Sequence, residues 1–88
     1  MDIEFFPSIA PDDYAAFRRL LGEDIPNTYD EWRNLQTNEI RQFRQVGRNT
    51  REVPVDPNEF AAFLQTTGAQ ANLTSLRNFT IAVVRNRH

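Results

Sequence analysis

One pattern occurs twice in this chain. Residues 11–22 read P-D-D-Y-A-A-F-R-R-L-L-G and residues 57–68 read P-N-E-F-A-A-F-L-Q-T-T-G, displaced by 46 positions. The two copies share Pro11/Pro57, Ala15/Ala61, Ala16/Ala62, Phe17/Phe63 and Gly22/Gly68, and keep acid or amide at 12/58 and 13/59 and an aromatic ring at 14/60. Each copy spells a short helix. Proline fits the first helical turn because its missing N–H has no partner there, and glycine just past the end takes the left-handed backbone that closes a helix. These are also the ordinary ingredients of any short helix, so duplication and chance both remain open at this point. Two copies fall short of the three or more that a solenoid needs, which favours a compact domain, pseudo-duplicated or not, over an array.

Eighty-eight residues make one small domain, near the lower size at which a chain folds without staples. With no cysteine there is neither a disulfide framework nor a thiolate metal site, so stability must come from packing. Seven phenylalanines with Trp32, Tyr14 and Tyr29 supply the large apolar surfaces. The start, Met-Asp-Ile-Glu, has none of the basic and apolar character of a signal peptide, and no stretch approaches the roughly 20 apolar residues of a membrane span. A soluble, cytoplasmic protein without membrane contact is the expectation.

Residues 2–6, D-I-E-F-F, alternate acid and apolar side chains, so a strand within 1–6 is expected, with Ile3 and Phe5 on one face and Pro7 limiting its length. A first helix is expected over 12–21. Thr28 and Glu31 form a capping box that opens the longest helix, 29–46, before Gly47. On it Tyr29, Trp32, Leu35, Ile40, Phe43 and Val46 fall within about 140°, which predicts a central core helix. Glu39 projects near the middle of that stripe. It is either a buried acid suited to proton transfer, or a bland acid that is paired or lies at the edge of a small core; the second reading is preferred. Residues 47–52 read as a polar link. In the stretch 52–55, Val53 and Val55 suit a short strand, confined to an edge by Pro54, that can pair with residues 2–6 in a two-stranded ribbon. Asp56 caps the second repeat helix, 57–67, and Asn72 a last helix, 73–84, where the β-branched run Ile81–Val84 leaves a strand as the alternative. Residues 85–88 read as disordered. The fold expected is a mainly α, compact four-helix domain with an optional short β ribbon.

The only histidine is His88, so no base is available inside the chain to activate a serine, and the Asp12/Asp13, Glu23/Asp24 and Asp30/Glu31 pairs lie at or near helix ends. No calcium loop, phosphate-cradling loop or dinucleotide fingerprint is present. Accordingly no catalytic residue, metal ligand or cofactor is assigned. The informative feature is the distribution of charge. All ten basic residues are arginine; residues 1–31 carry net −6, residues 32–51 net +4, and residues 52–88 balance. Arg33, Arg41 and Arg44 share a flank of the long helix about 80° wide, and Arg48 and Arg51 continue it into the link. A bland solvated face explains such a flank too. As a site, the five arginines suit a protein partner or a second copy of the chain, whose acidic third meets them across a symmetric interface. The alternative is nucleic acid, with arginines on phosphates and Asn34, Gln42 and Gln45 at base edges.

Overall fold

The computed structural model describes residues 3–86. Strand β1 (Ile3–Ser8) leads through a 3-10 turn at Pro11–Asp13 into helix α1 (Tyr14–Leu21). A second 3-10 turn, Gly22–Asp24, precedes the long helix α2 (Tyr29–Gln45), and β2 (Asn49–Pro54), α3 (Pro57–Thr67) and α4 (Leu73–Asn86) follow. The described residues are therefore mainly α, with four helices and one two-stranded sheet. The order strand, helix, helix occurs twice, and the sheet carries the same period. β1 and β2 run parallel, pairing Ile3 with Asn49 and so on to Ser8 with Pro54, each residue opposite the one 46 positions later. This is the displacement of the helical repeat, so the repeated unit extends beyond the twelve residues that reveal it.

Two prolines lie within this ribbon without breaking it. The Pro7 carbonyl is taken by Gln36 Nε2 at 2.7 Å, while the next carbonyl, Ser8, accepts from Val55 N–H at 3.1 Å. Pro7 thus occupies a position that faces away from β2, where a missing N–H costs no ladder bond, and the strand continues past it to Ser8. Pro54 is likewise passed over, since the bond to Ser8 comes from Val55. The link expected at 47–52 is correspondingly shorter, because Asn49–Glu52 joins the ladder. Ile3 is exposed and Phe5 half-buried, whereas Phe6 is buried with its ring 5.6 Å from Phe43. The other face of the alternation is the one that packs. Residues 1–2 of the expected strand lie outside the described residues.

The core sits between α1, α3 and α4, closed by segments flanking the strands. Phe17 and Phe60 are fully buried and stack 5.9 Å apart, Phe60 meets Phe79 at 5.5 Å, and Ile9, Leu21, Ile25, Val55 and Leu76 fill the remaining space. Ile9 and Val55 are again 46 apart. Tyr14 donates its hydroxyl proton to the Pro26 carbonyl at 2.5 Å, tying α1 to the link before α2. Arg18, a residue with no assigned role in the sequence reading, binds the Gly22 and Ile25 carbonyls and Asn27 Oδ1, holding the turn after α1.

The long helix is not the centre of this core. Its capping box forms, with Thr28 Oγ1 accepting from Glu31 N–H at 3.2 Å and donating to the Glu31 carboxylate at 3.0 Å. Only Trp32 and Gln36 are buried on it, however, and Leu35 and Val46 are 61% and 74% exposed. The apolar stripe is real, but the helix is turned so that Tyr29, Trp32, Gln36, Ile40 and Phe43 face the protein while Leu35, Glu39 and Val46 fall on the outer edge. The core is small and already filled from three helices, so α2 closes it from outside. At the other end of the chain α4 is helical throughout the β-branched run, and it continues through Arg85 and Asn86, where disorder was expected; residues 87–88 lie outside the described residues. Asn72 caps it through Oδ1, which accepts from Ser75 N–H at 2.8 Å.

Candidate contact surface on the long helix

Three of the five arginines singled out by sequence converge. Arg33, Arg41 and Arg44 project from one flank of α2 into a depression of about 470 Å³ between this helix and β2, whose other walls are Thr37, Ile40, Gln45 and Glu52. Helical spacing brings them there: residues 33, 37, 41, 44 and 45 follow one another along the helix at intervals of three and four or adjoin. Glu52 is the one acid in the lining. It accepts from Arg33 Nη1 at 3.3 Å, an ion pair with both side chains 44% exposed and so worth at most about 1 kcal/mol. Arg44 donates through Nε to Thr50 Oγ1 at 2.9 Å, which fixes its stem and leaves its terminal nitrogens to the depression. Arg41 is exposed and has no hydrogen-bond or ion-pair partner among the described residues.

Arg48 and Arg51 stand apart from this group. Arg48 lies over the Phe43 ring, its guanidinium carbon 5.4 Å from the centroid, and Arg51 is an exposed residue of β2 paired in register with Phe5. Neither lines the depression. Thr50 and Glu52 do take part in the surface. Glu52 falls where the expected link meets the expected strand, and neither residue stands out in the sequence, because their placement follows from strand pairing, which brings β2 beneath α2.

Glu39 is exposed, at the edge of the core, and is not a buried acid. It lies on the opposite flank of α2, in a second recess described below. No group of three or more His, Cys, Asp or Glu that could hold a metal ion occurs among the described residues, and none of their helices is long and apolar enough to cross a membrane. Comparison with protein-family models, with curated proteins and with solved structures yields no match.

Proposed function

We propose that the chain is a small non-catalytic interaction module whose contact surface is the arginine-lined depression between α2 and β2, and that it receives carboxylates from a protein partner. A second copy of the same chain has the right charge to be that partner. The supporting observation is the convergence of Arg33, Arg41 and Arg44 on one depression with Glu52 as its single acid. Bidentate contact between guanidinium and carboxylate is strong and directional, and Arg41, which has no partner among the described residues, together with the terminal nitrogens of Arg44 can take a pair of acids. The acidic first third of the chain offers such pairs. Asp12, Glu23, Asp24, Asp30 and Glu31 are all exposed. A cytoplasmic setting belongs to the same proposal.

Sedimentation of the unaltered chain and of Arg41→Glu/Arg44→Glu tests it. Self-association that weakens with salt in the first and is lost in the second, with thermal unfolding unchanged, is the expected result. Titration of labelled random oligonucleotides decides the other reading: binding that falls steeply with salt and is lost in the double variant would assign the arginines to phosphates instead. An unfolded double variant would make the flank structural and remove the proposed surface.

A further inference from the structure

On the flank of α2 opposite the arginines lies a recess of about 370 Å³ bounded by a strand edge. Residues 4–7 of β1 line it, with Trp32, Leu35 and Glu39 from α2 and Leu73 from the start of α4. The parallel ladder decides which backbone groups face it. In such a ladder the N–H and C=O of one residue point to the same side, and successive residues alternate. The Ser8 carbonyl turns to Val55, next after β2, whereas the Pro7 carbonyl is held by Gln36 of α2, which also lines the recess. Ile3 and Phe5 are in phase with Pro7, so their N–H and C=O groups point away from β2 as well. Among the described residues β1 pairs with β2 alone, and no hydrogen bond reaches these outward groups. An edge of this kind is a template for another strand.

The walls and rim say what that strand carries. Leu35 and Leu73 are 61% and 50% exposed, so apolar side chains laid along the edge would find partners on α2 and on α4. Glu4 is paired to Arg77, but Asp24 and Glu39 are exposed and their carboxylates have no hydrogen-bond or ion-pair partner among the described residues. A second copy of β1 is a poor occupant, since Glu4 and the net −6 of residues 1–31 would meet their like. The complement is a basic segment. It is also a short one, because Pro7 has no N–H and its carbonyl is already taken.

We infer that this recess is a docking site for a short extended segment of a partner protein, apolar at its centre and basic at its ends, which adds as a strand to the free edge of β1. Its backbone bonds to Phe5 and Ile3, its apolar side chains cover Leu35 and Leu73, and its cations face Asp24 and Glu39. The arginine depression takes no part in it.

The probe is the peptide acetyl-RKLVLKR-amide. It has no aromatic residue, and Trp32, the only tryptophan of the chain, lines the recess, so tryptophan emission reports binding. A saturable change is expected with the full chain. The acidic counterpart acetyl-DELVLED-amide should bind more weakly, by a margin that narrows as salt is added. Two further peptides test the strand itself, one N-methylated at the valine and one at both leucines, which block alternate phases of the backbone while keeping side chains and charge. One of them, and only one, should bind roughly 10-fold or more weakly than the parent. Asp24→Asn/Glu39→Gln, at two exposed positions, should weaken the basic peptide several-fold and leave the acidic one no worse. Arg41→Glu/Arg44→Glu should bind the basic peptide no more weakly than the unaltered chain, which separates this site from the arginine surface. No saturable change up to roughly 1 mM overturns the inference. So does equal binding of the parent and both methylated peptides, or of the basic and acidic peptides at low salt.

Discussion

Tyr14 concentrates several forces on one side chain. It is buried, its ring lies edge-on to Tyr29 at 5.9 Å and near Trp32 at 6.2 Å, and its hydroxyl is held by the Pro26 carbonyl. Burial raises its phenol above the ordinary 10.0, with the Arg18 guanidinium opposing the shift and Glu31 adding to it. The unfolded chain ionises first as pH rises, so the folded state holds more protons in that range and stability falls with pH. The contribution is complete below the ordinary value of 10.0 and is lost as pH climbs through the raised one. Tyr14→Phe should therefore cost about 0.5–1.5 kcal/mol in urea unfolding at neutral pH, yet lose less stability than the unaltered chain on going alkaline. An alkaline limb that is the same in both proteins would place the titrating group elsewhere. The burial of Tyr14 was legible from its place on the repeat helix, but its bond to Pro26 was not, since nothing local brings the two together. Arg18 is the same case: helical phase puts it off the apolar face, and only the path of the following turn makes its carbonyl partners available.

Helix caps were legible because they depend on neighbours in sequence: Thr28, Asp56 and Asn72 each cap as their position implies, and Gly22 and Gly68 end the repeat helices with positive φ. The two glycines differ in a way the sequence does not reveal. Gly68 is in the left-handed helical region at φ 71, ψ 13, whereas Gly22 has φ 60, ψ −132, a region closed to side chains. A new Cβ meets nothing within 4 Å at either position, so the cost is backbone strain alone. Gly68→Ala should cost about 1 kcal/mol and Gly22→Ala more, within about 1–3 kcal/mol. Chemical denaturation should rank them in that order. What an element packs against was less legible, and α2 shows why. Its apolar stripe implies burial, but a stripe gives only the phase of a helix, and the room available depends on how much of the core other elements fill. Trp32→Ala should cost about 3–5 kcal/mol, as for a large core side chain. Leu35→Gln and Val46→Gln, on the exposed edge, should each change stability by no more than about 0.5 kcal/mol. Equal losses at all three positions would restore α2 to the centre of the core.

At the scale of the whole molecule the repeat organises the fold. The parallel sheet pairs residues at the same displacement, 46, that separates Pro11 from Pro57. Parallel strands cannot be joined by a tight turn and require a crossover, and here α1 and α2 supply it. The strands escaped the sequence comparison because I-E-F-F-P-S and N-T-R-E-V-P share a backbone role but match at no position in register, whereas the two helices share the residues that helix ends demand. Charge breaks this symmetry: residues 1–46 carry nine acids against five arginines, and residues 47–88 three acids against five arginines. A polarised monomer of this kind can pair with itself by presenting both signs across a two-fold axis, each contact occurring twice. The proposed self-association then has a signature in charge reversal. Arg41→Glu/Arg44→Glu should fail to self-associate, because acids now face acids, and Asp12→Arg/Asp30→Arg, at two exposed positions, should fail because arginines face arginines. Mixed in equal amounts, the two variants should form a heterodimer, since the glutamates of one meet the new arginines of the other while the unaltered surfaces meet as before. Added salt should weaken the mixed pair as it does the unaltered chain, because exposed charges are screened over about 10 Å at 0.1 M. Two variants that stay monomeric both alone and together would exclude this pairing and assign the arginine depression to a different acidic protein.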